Sequence, residues 1–193
     1  MENPFNNYYK EYDEWFDKNL DIYKNELEFV GRYIDEESIS LEIGAGTGRF
    51  GIPLGIKYGI EPSKNMAAIA YNNGMRIIVG RAEDLPVKKN YFELVLLNTV
   101  LCFIRDTQKA IENIYTILKK QGKVVVFLID RDSPIGKKYE AKKDKNKFYR
   151  YANFLNKTQV ENVFKKNGFV LETEETYRYK VIDGLKLMIF KKD

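Results

Sequence analysis

The 193-residue chain contains no histidine. No Ser-His-Asp or Cys-His arrangement can exist in it, and no imidazole-ligated zinc site. Its single cysteine, Cys102, can neither replace those ligands nor close an internal disulfide, which fits a reducing compartment. Hydrolases of the common kinds are disfavoured. Magnesium held by carboxylates alone stays open in principle, although no metal site is expected. No apolar run approaches the length that spans a bilayer. The opening residues, MENPFNNYYKEYDEWF, lack the basic start and apolar core of a signal peptide. A cytoplasmic protein without a membrane partner is expected.

What is present suits one globular domain with a real core: 44% hydrophobic and 31% charged residues, and a net charge of +4 that permits an acidic ligand without demanding nucleic acid. From about Asn7 to Ile34 aromatic residues fall at helical spacing, Tyr8, Tyr12, Trp15 and Phe16 first, then Tyr23, Leu27 and Val30. One or two helices are predicted there. Ile39–Ile43 is a buried strand ending at a glycine cluster, and a helix, short or kinked by Pro53, begins near Gly48. Residues 57–61 form a second strand. Ser63 caps a helix that stops at Gly74, and Met75–Val79 is a third strand. Phe92–Leu97 is buried on both faces. Asp106 caps a helix ending before Gly122, and Lys123–Ile129 is a fifth strand. Thr158 and Glu161 have capping-box spacing for a last helix ending at Gly168. Strands around Phe169–Tyr179 and Leu185–Lys191 close a hairpin through Ile182-Asp183-Gly184. Strand–helix alternation of this kind implies a parallel sheet covered by helices.

Two features carry the chemistry. In Leu41-Glu42-Ile43-Gly44-Ala45-Gly46-Thr47-Gly48, alternate glycines let the backbone turn tightly and approach a ligand, with amides left free to donate. Glu61 ends the next strand, seventeen positions after Gly44. In a doubly wound sheet that places its carboxylate beside the glycine turn, where it can accept from both hydroxyls of a ribose.

On these residues the chain resembles class I S-adenosylmethionine-dependent methyltransferases, in particular the type-11 methyltransferase domain. The segments LEIGAGTGRF, GIEPSKNMAAIA, GRAEDLPVKKNYFELVLLNTVLCFI and AIENIYTILKKQGKVVVF stand in the family's order and spacing. The resemblance implies a doubly wound α/β fold: a mostly parallel seven-stranded sheet, helices on both faces and a C-terminal antiparallel hairpin. It implies an N-terminal helical lid over residues 1–37 and a cofactor-binding domain over 38–193, with an acceptor-pocket insertion at about 131–155. It implies S-adenosyl-L-methionine as cofactor and S-adenosyl-L-homocysteine as product. Glu42, Gly44, Ala45, Gly46 and Gly48 match the motif around the methionine part, Glu61 the ribose-binding acid and Pro62 the residue beside it. Arg81, Ala82 and Glu83 match the segment bordering adenine, although many relatives have Asp or Asn where Arg81 stands. Asn98 and Thr99 match the strand end beneath the sulfonium. Cys102 stands where many relatives have His. Tyr8 and Tyr12 are the lid candidates, and rings facing a sulfonium gain cation–π energy; for Trp15 and Phe16 packing and closure are both open. Asp130, Arg131, Tyr139 and Tyr149, with Trp15 and Cys102, are the acceptor-side candidates, and Phe148 and Tyr151 add aromatic surface.

Three competing classes remain to be weighed. A nicotinamide oxidoreductase carries glycines at the first, third and sixth loop positions. Here the sixth is Arg49, and the glycine comes one place early. A non-catalytic S-adenosylmethionine-binding protein would share every motif named. An RNA or protein methyltransferase is disfavoured, because Asn98-Thr99-Val100-Leu101 is no asparagine-proline tetrapeptide and the lysines of 137–147 are interleaved with acids like a solvated helix face. A small-molecule methyl acceptor is expected, methylated on N or O, less readily on S or C, by a monomer or homodimer without nucleic acid.

Overall fold

Strand β1 (Ser40–Ile43) leads into the glycine cluster, and the sheet is built outward from it in both directions. The structure is a computed structural model and describes residues 4–180 and 182–193. Beside β1 lie β2 (Tyr58–Glu61) and β3 (Arg76–Val79) on one side. On the other lie β4 (Phe92–Asn98), β5 (Leu118–Ile129), β7 (Ile182–Lys192) and β6 (Phe169–Tyr179). The order is β3-β2-β1-β4-β5-β7-β6, parallel except for the antiparallel β7. The expected mostly parallel seven-stranded sheet with its terminal hairpin is what the chain forms. The direction of winding reverses between β1 and β4, so a crevice opens at their carboxyl ends.

Two helices precede the sheet after a single turn α1 (Pro4–Asn7): α2 (Tyr9–Lys18) and α3 (Leu20–Gly31). Then come α4 (Lys64–Asn72), α5 (Thr107–Ile117), α6 (Pro134–Lys142) and α7 (Lys157–Lys166). The central strands are apolar on both sides because both are covered. Val95, Leu97, Val124 and Val126 pack with Ile111 and Ile114 of α5 and with Val160 and Phe164 of α7. Leu94, Leu96, Val125 and Phe127 pack with Phe29 and Val30 of α3 and with Ile135 of α6. Ser63 and Asp106 cap α4 and α5 as expected, accepting from the amides of Met66 and Lys109.

Four expectations are corrected. The helix predicted from Gly48 is a series of turns through Gly55. Its ladder fails because the Gly51 N–H is given to the Glu42 carboxylate and Pro53 has none to give. Strand and helix therefore do not alternate between β1 and β2. Strand β5 starts at Leu118 rather than Lys123, running through an irregularity where Gln121 takes φ +64°. The last helix is capped by a reciprocal Asn156–Gln159 box rather than by Thr158 and Glu161. Residues 182–184 belong to β7, with Ile182 and Asp183 opposite Tyr179 and Arg178, so the hairpin turns earlier, at 180–181, where Val181 lies outside the described residues.

Candidate active site

The crevice at the switch point is lined from three sources: the ends of β1, β2 and β4, the helices α2 and α3, and the segment after β5. Gly44 and Gly46 carry φ of +73° and +57°, conformations that side chains disfavour. A Cβ on Gly44 would stand 2.2 Å from Val100 Cγ2. Glu61, 5% exposed at the end of β2, accepts from the amides of Gly46 (3.0 Å) and Ser63 (2.8 Å). Burial raises its pKa, and those two amides oppose the rise. Each carboxylate oxygen keeps acceptor capacity beyond its one amide. Glu42 is buried behind the loop, where burial pushes its pKa up to about 8, against the hydrogen bond from Gly51.

At the end of β4, Asn98 Oδ1 is buried with no hydrogen-bond partner among the described residues. Thr99 holds φ +49°, a strained conformation for a β-branched residue, tied by its amide to the Phe127 carbonyl at 2.6 Å. An orphaned acceptor beside a side-chain-free turn and an inward carboxylate is a set of acceptors fitted to the hydroxyl and ammonium donors of a ligand such as S-adenosylmethionine.

The N-terminal helices are fastened over this floor by charge. Asp13 of α2 accepts from Thr47 Oγ1 at 2.5 Å and from Arg49 Nε and Nη2 at 2.8 Å each, and Asp17 accepts from Arg49 Nη1 at 2.9 Å. The Tyr23 hydroxyl of α3 donates to the Arg49 carbonyl. Arg49, the residue that breaks the nicotinamide fingerprint, thus ties the loop after β1 to α2. Ser63 Oγ donates to the Phe5 carbonyl at 3.2 Å, bringing α1 onto the start of α4. Lys147 pairs with Glu11 and sits 4.4 Å from the Tyr8 ring centre, joining the N-terminal helices to the segment after β5.

Beneath these helices lies a cavity of about 580 Å³. Twelve of the residues singled out from the sequence line it: Gly44, Gly46, Glu61, Pro62, Asn98 and Thr99 at one end, with Tyr12, Trp15, Phe16, Tyr139, Phe148 and Tyr149. Glu42 and Ala45 line a small adjoining recess. The others stand elsewhere. Gly48 faces Ile52. Arg81 bridges to Asp84, Ala82 packs in the core and accepts from Asn113 through its carbonyl, and Glu83 accepts from the Arg105 amide. Tyr8 is 45% exposed against Lys147. Cys102 is buried, donates to the Thr99 carbonyl, and has its pKa pushed up to about 12 by burial, so it is a packed thiol. Asp130 holds the turn into α6 by accepting from the Asp132 amide, and Arg131 pairs with Asp132.

Sequence reasoning missed Phe5, Phe103 and, above all, Glu26 on the cavity wall. Glu26 is 9% exposed. The signal was present: Glu26 falls among Tyr23, Leu27 and Val30, a carboxylate on the face α3 buries. No group of three or more His, Cys, Asp or Glu that could hold a metal occurs among the described residues. No helix among them is long and apolar enough to cross a membrane.

Fold and site define a doubly wound α/β protein with a ligand-sized crevice at its switch point. Comparison with known proteins makes this specific. A family model described as a methyltransferase domain matches residues 41–126. An uncharacterized protein of Methanocaldococcus jannaschii is 48% identical over 167 residues, 86% of this chain and 81% of that one. A crystal structure from Thermotoga maritima, described as a SAM-dependent methyltransferase and possible histamine N-methyltransferase, is 33% identical, with a TM-score of 0.88 over 99% of each chain. Phosphoethanolamine N-methyltransferase 2 of Caenorhabditis elegans is 30% identical over 182 residues, 83% of this chain but 40% of that protein. The chain belongs to the class I S-adenosylmethionine-dependent methyltransferases, with a type-11 methyltransferase domain.

Proposed function

We propose that the protein transfers the methyl group of S-adenosylmethionine to a nitrogen or oxygen atom of a small molecule held in the aromatic half of the cavity. The observation that carries this reading is the continuity of the cavity. It runs from Gly44, Gly46 and Glu61 to walls of Trp15, Phe103, Tyr139, Phe148 and Tyr149, so one continuous space has a polar end and an aromatic end. The names of the Thermotoga and Caenorhabditis relatives favour nitrogen.

When bound, the cofactor supplies a methyl group activated on a sulfonium. The chain supplies place and field. Glu61 receives the ribose hydroxyls, each charge-assisted bond contributing roughly 1.5–3 kcal/mol. Gly44 and Gly46 allow close backbone approach, and Asn98 Oδ1 accepts from the amino-acid end. Alignment of the acceptor opposite the sulfur can contribute roughly 7–11 kcal/mol. The lid and the segment after β5 exclude water. Tyr12 stays a neutral phenol, because burial and the charges of Glu61 and Glu42 raise its pKa. It serves as a donor or a ring face, not as a base.

A thermal-shift comparison of S-adenosylmethionine, S-adenosylhomocysteine, NAD and NADP tests the cofactor, followed by a screen of metabolites for transfer of a labelled methyl. Stabilisation by the two adenosyl compounds alone supports the reading. Stabilisation by a nicotinamide dinucleotide in their place contradicts it.

A further inference from the structure

Glu26 has no role in the account so far. Its carboxylate makes no hydrogen bond or ion pair with any described residue, yet Glu26 is 9% exposed and lines the cavity. Burial alone acts on it, raising its pKa to about 7, with no cation near enough to offset the cost. A buried carboxylate without a partner is expensive, and such groups are paired in folded proteins. The space in front of Glu26 is the cavity itself. Tyr139 and Tyr149 share that wall, their rings 4.9 Å apart. After burial, the Glu26 charge is among those raising the pKa of Tyr12, Tyr139, Tyr149 and Tyr177, so four phenols lie within its field.

We propose that Glu26, with the faces of Tyr139 and Tyr149, forms an acceptor subsite for the ammonium group of a small amine, so that the methylated atom is an amine nitrogen. The proposal rests on the methyltransferase reading of the same cavity and names its substrate class. An ammonium supplies the opposite charge that Glu26 lacks, and tyrosine faces favour a cation in a desolvated space. A carboxylate-bearing acceptor would be repelled there, and a neutral alcohol would leave the charge unpaired.

The chemistry balances with Glu26 as proton acceptor. A proton passes from the ammonium nitrogen to the carboxylate, freeing the nitrogen lone pair. The nitrogen–carbon bond forms as the carbon–sulfur bond breaks, and that bonding pair stays on sulfur. The products are a methylated ammonium, the neutral thioether and a protonated Glu26, which releases its proton when the site opens. A carboxyl titrating near neutrality is matched to that exchange.

The test is calorimetric, with and without S-adenosylhomocysteine. 2-Phenylethylamine, histamine and n-butylamine are titrated into the whole protein against 2-phenylethanol and 3-phenylpropionate. At least one amine should bind tenfold or more tightly than both uncharged and anionic analogues. Glu26→Gln should lose that preference while its affinity for S-adenosylhomocysteine stays within twofold of the parent, which also certifies its fold. The comparison of analogues on the unaltered protein stands even if the variant fails to fold. No preference for amines, or a preference that survives in Glu26→Gln, overturns the subsite. Failure of S-adenosylhomocysteine to bind the unaltered protein overturns the methyltransferase reading instead, and is read separately because the amine titrations are also run without it.

Discussion

The Gly46 amide donates to Glu61 Oε2 at 3.0 Å, so the turn after β1 and the acid ending β2 meet at one point although fifteen residues separate them. Parallel pairing of β1 with β2 brings the strand ends level, Ile43 opposite Ile60. The positive φ of Gly46 then aims its amide at the carboxylate. Removing either partner should damage one binding event.

Glu61→Ala should weaken S-adenosylhomocysteine at least tenfold by calorimetry, a loss of about 1.4 kcal/mol or more. Unchanged affinity would remove Glu61 from the site.

Gly46→Val should abolish that binding while far-ultraviolet dichroism stays near the parent's. Valine resists φ +57°, and its first carbon would stand 3.8 Å from the Tyr12 ring, with its branches reaching into the space a ligand needs. Retained affinity would mean that the loop does not touch the ligand.

Arg49→Ala should release the lid. The side chains of the Arg49–Asp13 pair are about a quarter exposed, at 27% and 24%, and several hydrogen bonds meet there. Hydrogen exchange at the amides of α2 should quicken by an order of magnitude, with global stability falling by roughly 1 kcal/mol. Exchange confined to its parental rate would show that aromatic packing alone holds the lid.

Stability should depend on pH through Glu26 and Glu42 in a direction opposite to that of Asp13. Burial raises the folded pKa of Glu26 from 4.5 to about 7 and that of Glu42 from 4.5 to about 8. The folded state then holds more protons than the unfolded one between those values, so stability falls as pH rises through that window and levels off above it. The hydrogen bond from Arg49 lowers the Asp13 pKa, so its contribution is full above the ordinary aspartate pKa and is lost as pH falls through the lowered value. Glu26→Gln should raise the unfolding free energy of the ligand-free protein at pH 8 by on the order of 3 kcal/mol, read by chemical denaturation, and change it little at pH 4.5. Equal effects at both pH values would show that Glu26 is not a burdened acid.

The glycine end of the cavity was legible because its parts are local. A glycine turn and a strand-ending acid are each visible in a few residues, and strand pairing joins them. The helix expected at Gly48 was not, because the competition for the Gly51 amide comes from Glu42 on another element. Asn156–Gln159 and Thr158–Glu161 have the same spacing, and only the point where the chain turns helical separates them. The aromatic end was least legible. Tyr139, Phe148 and Tyr149 stood out as aromatic, but their convergence on the N-terminal helices is tertiary, and Glu26 reads as an ordinary helix-surface acid until α3 is laid against the sheet.

The most direct measurement is a crystal structure with S-adenosylhomocysteine. Both ribose hydroxyls should lie within hydrogen-bond distance of the Glu61 carboxylate, with the sulfur facing the aromatic chamber. A nucleoside bound elsewhere, or a sulfur turned away from that chamber, would contradict the account.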